Sequence, residues 1–442
     1  MAAPMTLESL RIAFYTLGCK LNQAESAALR NAALEHGYIP VDFNESADVI
    51  VVNSCTLTNR ADRKTRQALY QAKRHSPHSI LVLAGCYPQV QGTASADIPG
   101  VDIVLGTRDK FALFEALDGF REKGEKNIQI SSVNNRERWE STFVAGTERS
   151  RAFLKIQEGC SNFCTYCIVP YARGNPVSRD FDNTIREAKR LSEGGCREIV
   201  LTGIDIGAYR DRDKTLTEVV KGLEALPELR RIRISSIEMN TLSDELIRYM
   251  AGSEKCMPHF HLSLQSGSDT ILKAMNRKYL CADFAKKVET IRKYIPNASI
   301  GTDVIVGFPG ESDALFVESM NFIQAIAFSY LHIFRFSPRR GTPAAGMADP
   351  VSDTRKKERA ALLQDSDKRL RERYAAIFIG TSQSVLWEQC QEGFCKGLTP
   401  HYIPVSAPGN AGMINTISDL ILSAEHFSGK NGVAETDHLF IE

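Results

Sequence analysis

The sequence predicts an α/β chain in three parts: an N-terminal parallel-sheet domain over 1–135, a central open (β/α)6 barrel over 146–375, and a small β-barrel over 376–442. Three observations predict it. Short β-branched runs alternate with helical stretches over the first 115 residues, the same alternation resumes near residue 152, and from about 376 only strand-like alternation remains. A chain of 442 residues has room for two or three such domains, and 43% hydrophobic with 24% charged residues is ordinary for a globular protein. The opening "MAAPMTLESLRIAFYTLGCK" lacks a basic segment followed by an apolar one, and no run approaches the ~18 apolar residues of a membrane helix. A cytoplasmic location without a membrane partner is expected. In that compartment the eleven cysteines read as metal ligands or buried thiols rather than disulfides.

In the first domain, "RIAFYTLGC" (11–19), "DVIVVNSC" (48–55) and "SILVLAGC" (79–86) are apolar runs that each end in a small residue and a cysteine. The stretches between them, "NQAESAALRNAALEHG" and "RADRKTRQALYQAKRH", repeat apolar residues at helical spacing. Strand and helix in alternation argue for a parallel sheet, whose strands all finish on the ligand-bearing edge. Cys19, Cys55 and Cys86, 36 and 31 residues apart, are therefore expected to converge. A single buried cysteine would be unremarked packing; three at equivalent strand ends are not. "DIVLG" (102–106) continues the sheet, and "RERWESTFVAGTERS" (136–150) reads as a connector.

The central domain opens with "AFLKIQEGCSNFCTYC", a strand running into Cys160, Cys164 and Cys167 in C-x3-C-x2-C spacing. Structural zinc calls for four closed ligands. Three thiolates suit an iron–sulfur cubane that keeps one iron open for substrate. Five further runs, "EIVLTGIDIG", "RIRISSIE", "HFHLSLQSG", "IGTDVIVGFPGE" and "YLHIFRFSPRRGT", read as strands ending in polar or small residues. Helical stretches such as "TILKAMN" and "FVESMNFIQAI" separate them, giving six strand–helix units with the site at the C-terminal strand ends.

The cysteine loop, with Tyr166 just before its third cysteine, resembles that of the radical S-adenosylmethionine enzymes. The resemblance implies a [4Fe-4S] cluster whose open iron binds S-adenosylmethionine, and reductive cleavage to a 5′-deoxyadenosyl radical. It further implies cofactor contacts at Tyr166, Gly203 and Gln265, with Ser235 and Glu238 as weaker carry-overs; each of these could instead cap a helix or turn. "YTLGCKLNQAES", "VVNSCTLTNRAD" and "LAGCYPQ" ahead of that loop resemble the methylthiotransferases. In that family the first domain's three cysteines hold a second [4Fe-4S] cluster through which sulfur is delivered.

"GLTPHYIPV" resembles the TRAM domain, an RNA-binding barrel, yet residues 376–442 carry two Lys and no Arg against seven Asp and Glu, a net charge of −5. RNA contact there would rest on shape, Tyr402 and Lys396. Basic charge lies in 354–374, with eight Lys/Arg against four acids, in 59–74, with six against one, and in "RFSPRRGT". Each helix alone could be a solvated face, but together with "RFSPRRGT" they form the expected phosphate-binding surface.

Within the family, "LTGIDIGAY" and "RISSIEM" most resemble the enzymes acting on N6-threonylcarbamoyladenosine at position 37 of tRNA. The resemblance implies methylthiolation at C2 of that base in the anticodon stem-loop, with S-adenosylmethionine as radical source and methyl donor. An electron donor such as flavodoxin or ferredoxin is implied as a partner. The branch acting on isopentenyladenosine more often has Gln-Asn at Ile204 and Asp205; the branch acting on a ribosomal-protein aspartate has a different tail. A non-catalytic RNA-binding iron–sulfur protein is the rival from another class. Arg335, Arg339 and Arg340 are candidates to read the threonylcarbamoyl carboxylate. Cys196, Cys256, Cys281, Cys390 and Cys395 fit neither triad and are expected to be structural.

Overall fold

The computed structural model describes residues 10–134 and 150–427, in two compact units. All but the last residue of the expected connector lie outside the described residues.

The first unit is a six-stranded sheet in the order β2-β1-β3-β4-β5-β6, with every pairing parallel. Its strands are β1 (Arg11–Thr16), β2 (Ile39–Val41), β3 (Val49–Ser54), β4 (Ile80–Gly85), β5 (Ile103–Leu105) and β6 (Asn127–Gln129). Helices α1 (Lys20–Glu35), α2 (Asn59–His75), α3 (Cys86–Gln91) and α4 (Leu113–Lys123) connect or follow them. Helix α5 (Val169–Arg173) follows the second cysteine loop in sequence but packs within this unit. Alternation sends Val49 and Val51 into one apolar cluster and Ile50 and Val52 into another. Both sheet faces are thus covered, the arrangement a parallel sheet requires. The short strands β2 and β6 at the sheet edges were not legible as runs of their own.

The second unit begins with β7 (Arg151–Lys155), and the pair β8 (Gln157–Glu158) and β9 (Val177–Ser178) brackets the cysteine loop. Then come α6 (Phe181–Glu193), β10 (Glu198–Thr202), the hairpin β11 (Arg210–Asp211) and β12 (Lys214–Thr215), and α7 (Leu216–Glu224). Next are β13 (Arg231–Ile234), β14 (Ser236–Ile237), α8 (Asp244–Gly252), β15 (His259–Gln265), α9 (Asp269–Ala274) and α10 (Cys281–Tyr294). The series closes with β16 (Ser299–Val306), α11 (Asp313–Ile326) and β17 (Tyr330–Arg335). Two parallel sheets, β13-β10-β7 and β14-β15-β16-β17, are joined where only Ser235 separates β13 from β14. The run is the open six-stranded barrel the sequence predicts.

Helix α12 (Asp353–Ala376) packs against β17, the last strand of that run. Its Asp367 carboxylate accepts a hydrogen bond from the Leu331 backbone N–H at 2.6 Å, occupying a donor that an edge strand would otherwise expose. The basic face expected on this helix is partly spent inside the fold. Arg359 is buried and pairs with Glu311 at 2.6 Å and Asp313 at 2.8 Å, while Lys356 is buried over the Phe336 ring. These two cations hold α12 in place and are not a nucleic-acid surface.

The tail forms an antiparallel four-stranded sheet, order β20-β19-β18-β21, from β18 (Ser382–Gln391), β19 (Phe394–Leu398), β20 (Pro404–Pro408) and β21 (Ile417–Ile421). Trp387 anchors its core and donates its indole N–H to Ser418 at 2.8 Å. Cys390 and Cys395 stand opposite each other across the β18–β19 pair and are joined by a disulfide, correcting the expectation of thiols only. Antiparallel pairing made them neighbours, which their separation of five residues does not reveal on its own.

The loop between β19 and β20 docks against the barrel. Arg231 donates to the Leu398 carbonyl at 3.0 Å and Arg233 to the Pro400 carbonyl at 3.1 Å. Buried Glu198 lies among Arg233, Arg231 and Arg151; burial alone would raise its carboxyl, but these guanidiniums hold it at about 2. Tyr402 packs on His259 in a tilted arrangement with ring centroids 4.4 Å apart, and the Arg233 guanidinium lies 5.0 Å from its ring centre. Its ring is thus engaged by the barrel.

Candidate functional site

Each cysteine triad is assembled within one unit. In the first, β1, β3 and β4 are neighbours in the sheet, so the residues following their C-terminal ends fall together. Gly18 takes φ +109° immediately before Cys19, and a Cβ there would stand 2.7 Å from that of Cys55. That close approach requires glycine. Cys55 and Cys86 are buried; burial first, then mutual repulsion with Cys86 and Cys19, drives the Cys55 thiol far above its usual value. Burial raises Cys86 as well, opposed by the Arg173 and Lys110 charges.

Those two cations share an acidic partner. Glu25 of α1 accepts from Arg173 of α5 at 2.9 Å and pairs with Lys110, all three fully buried. Arg173 also donates to the Asn22 side-chain oxygen at 2.5 Å, while the Asn22 amide reaches the Leu17 and Ser54 carbonyls at 2.7 and 2.9 Å. These cations oppose the rise that burial imposes on Cys55 and Cys86. Sequence reading missed this cluster because its members come from three distant segments.

The second triad occupies the loop after β8. Cys167 N–H donates to the Cys164 carbonyl at 2.9 Å, and Asn162 N–H points at the Cys160 sulfur at 3.4 Å. Burial pushes the Cys160 thiol up to about 11. The loop is tied down by Thr165, whose N–H donates to the Met275 carbonyl at 3.0 Å and whose hydroxyl donates to that of Ala274 at 2.9 Å. Tyr166 packs its ring with Met275, Phe308 and Phe336.

Arg277 organises this site. Its guanidinium lies 3.2 Å from the Cys164 sulfur and 3.5 Å from the Tyr166 hydroxyl, pairs with Glu238, and donates to the Ser263 carbonyl at 3.1 Å. Burial raises the Glu238 carboxyl, and Arg277 opposes the rise. Gly203 leaves no room for a side chain: a Cβ there would stand 2.5 Å from Ile206 Cγ2 and 3.0 Å from the Gln157 side chain. Buried Gln157 accepts from the N–H groups of Ile204 and Asp205 at 3.0 and 2.8 Å and donates to the Gly159 carbonyl at 2.9 Å. It thereby ties the β10 loop to the start of the cysteine loop. Gln265, at φ +71°, ends β15, and Ser235 is buried between β13 and β14. Arg335 and Arg340 are exposed, whereas Arg339 is buried.

Among the described residues, the set of His, Cys, Asp and Glu whose ligand atoms all lie within 4.8 Å is His261, Asp303 and His332. These are joined by hydrogen bonds, His261 Nε2 to Asp303 at 2.9 Å and His332 Nδ1 to the same oxygen at 3.3 Å. Although burial opposes it, His261 and His332 hold the Asp303 carboxyl far below its usual range. Period-two alternation along β15 and β17 is the signal that could have found them.

The radical SAM superfamily model matches residues 154–323, and the model of an uncharacterized protein family, UPF0004, matches residues 11–106. The chain is 40% identical over 415 residues to the threonylcarbamoyladenosine tRNA methylthiotransferase MtaB of Bacillus subtilis, covering 92% of each chain. The chain belongs to the radical S-adenosylmethionine methylthiotransferases. MtaB of Aquifex aeolicus is 40% identical over 368 residues, 83% of this methylthiotransferase and 90% of the relative. The tRNA-2-methylthio-N(6)-dimethylallyladenosine synthase of Alkalilimnicola ehrlichii is 34% identical over 385 residues, 85% and 86% of the two chains. Among solved structures, the radical S-adenosylmethionine methyltransferase TsrM of Kitasatospora setae shares the fold, with a TM-score of 0.54 and 14% identity over 76% of this chain and 77% of that one. Membership of this family implies a [4Fe-4S] cluster and S-adenosylmethionine. No helix among the described residues is long and apolar enough to cross a membrane.

Proposed function

We propose that this enzyme adds a methylthio group to C2 of N6-threonylcarbamoyladenosine at position 37 of tRNA. The observation that carries the reading is the near end-to-end match, at 40% identity, to a relative that bears this activity in its name. Support comes from the two separate cysteine triads. Cys160, Cys164 and Cys167 hold the cluster that works with S-adenosylmethionine; Cys19, Cys55 and Cys86 hold a second, auxiliary one. The domain bounds proposed are 1–135, 146–375 and 376–442, the last of TRAM type.

When bound, the first cluster and S-adenosylmethionine supply a radical able to take hydrogen from an unactivated C–H bond, which no base can do at neutral pH. The chain's residues prepare for this. Arg277 supplies positive charge beside Cys164 and fixes the Glu238 carboxylate. Tyr166 shields the loop with its ring, helping to exclude water. Gly203, Ser235, Glu238 and Gln265 bind S-adenosylmethionine. In the first unit Arg173 and Lys110 would offset thiolate charge where Cys19, Cys55 and Cys86 would hold the auxiliary cluster, whose chemistry would be sulfur delivery. The base is splayed out of the anticodon loop, the usual mode of single-stranded recognition. Flavodoxin or ferredoxin supplies the electron.

The test is nucleoside mass analysis of tRNA from cells lacking the enzyme. Loss of 2-methylthio-N6-threonylcarbamoyladenosine, with the isopentenyl product retained, is expected. The opposite pattern moves the enzyme to the dimethylallyladenosine branch, and an unchanged tRNA profile sinks the reading.

A further inference from the structure

Two helices carry the basic runs, and the fold treats them differently. On α12, Lys356 and Arg359 are buried, Arg355 pairs with Asp313, and Arg371 pairs with Asp367 at 2.8 Å. On α2, by contrast, Arg60, Arg63, Arg66 and Arg74 are all exposed. Tyr70 stands among them at 54% exposure, an aromatic ring the core has not claimed. At 3.6 residues per turn these five side chains fall within about a third of the helix circumference, along about 21 Å of its length. The one acid of the helix, Asp62, is buried beside the stripe rather than within it, and the Thr56 hydroxyl donates to it at 2.7 Å. The outward stripe of α2 therefore carries no negative charge of its own.

Its position gives the stripe a direction. Thr56 follows Cys55, so the first turn of α2 is tied to one cysteine turn. Arg66 lies 3.4 Å from the Tyr87 hydroxyl, and Tyr87 follows Cys86. The Tyr87 N–H in turn points at Ser54 Oγ at 3.2 Å. A chain of phosphates laid on α2 thus runs toward the first triad.

We infer that the exposed face of α2 is an RNA track. Arg60, Arg63 and Arg74 neutralise successive phosphates of the anticodon arm, and Tyr70 stacks on an unpaired base. Cations with an interleaved aromatic are what a single-stranded nucleic acid requires, and sequence discrimination is not asked of them. The inference rests on the tRNA reading above. It also assigns the electrostatic contact to the first unit, since the acidic tail cannot supply it.

The test uses the full-length reconstituted enzyme and a synthetic threonylcarbamoylated anticodon stem-loop, with binding measured from 50 to 300 mM KCl. Arg60→Gln, Arg63→Gln and Arg74→Gln combined should lower the slope of log K against log salt by roughly 2 to 3, at about 0.7 to 0.9 per lost phosphate contact. Tyr70→Ala should weaken binding roughly 5- to 100-fold, with little change of slope. All four side chains are exposed, so the thermal unfolding midpoint and iron content should match the wild type. The comparison variant replaces the exposed Lys357, Lys368 and Arg373 of α12 by Gln. A wild-type slope retained by the α2 triple variant overturns the inference, whatever the α12 variant does. A wild-type enzyme that fails to bind the stem-loop at 50 mM KCl sinks the tRNA reading and the track with it.

Discussion

The two cysteine triads bring three thiols together by opposite means. Cys160, Cys164 and Cys167 sit in one loop of eight positions, held by a hydrogen bond to the Met275 carbonyl and one from Arg277. Cys19, Cys55 and Cys86 follow three separate strands and meet only because β1, β3 and β4 are adjacent in a parallel sheet. A local loop can be replaced or redesigned residue by residue. A convergent site exists only while its whole sheet is folded. The charges differ too: one guanidinium and one carboxylate serve the loop, whereas two cations share one carboxylate beside the convergent triad.

The largest expected effect separates the two by chemistry. Cys164→Ala should abolish 5′-deoxyadenosine formation, and with it every product. Cys55→Ala should leave S-adenosylmethionine cleavage measurable while no methylthiolated nucleoside appears, and iron should fall from about eight to about four per chain. Circular dichroism must first show the Cys55→Ala sheet intact, because losing a metal site can unfold its domain. Methylthiolated product from Cys55→Ala would break the comparison outright.

The charge clusters give the next test. Glu25→Gln leaves Arg173 and Lys110 buried without their shared carboxylate, and arginine cannot shed its proton. The cost should be about 3–5 kcal/mol, read from urea unfolding monitored within the first unit. Arg277→Met should cost less, about 1–3 kcal/mol, because the partner it strands can neutralise itself. Burial already raises Glu238, and without Arg277 its carboxyl rises further. A native carboxyl above its unfolded value binds more protons folded than unfolded, so stability falls as pH rises. The Arg277→Met defect should therefore be small below about pH 4.5 and grow toward neutrality. Equal defects at pH 4 and pH 7 would show that Glu238 keeps another partner.

How much of this was legible in the sequence follows the same divide. The C-x3-C-x2-C loop is local, so spacing alone revealed it. The first triad needed one step of topology, namely that parallel strands end on one edge, and the strand–cysteine pattern supplied it. Glu25, Lys110 and Arg173 carry no such pattern, since their positions in sequence say nothing of their meeting. Basic composition misled at α12 for a related reason. Counting charges cannot tell Arg359, buried against Glu311, from Lys357, which faces solvent. Motif likeness names Tyr402 for RNA contact, but it says what a residue is, not which of its faces the barrel takes.

The smallest expected effect asks what Tyr166 does for the loop triad. Its ring packs with Met275, Phe308 and Phe336, and its hydroxyl stands 3.5 Å from Arg277, at the limit of hydrogen bonding. Arg277 has better partners in Glu238, the Ser263 carbonyl at 3.1 Å and the Tyr279 hydroxyl at 2.8 Å. Removing the Tyr166 hydroxyl should then leave Arg277 where it is. Tyr166→Phe is expected to change stability by less than about 1 kcal/mol and to keep 5′-deoxyadenosine formation within about threefold of wild type. Tyr166→Ala, which removes the ring, should cost about 3 kcal/mol or more and let water reach the loop, so that cluster loss in air accelerates. The two variants assayed together decide which part of the side chain matters. If Tyr166→Phe loses activity as fully as Tyr166→Ala, the hydroxyl is the working group and the loop triad depends on a third polar side chain besides Arg277 and Glu238.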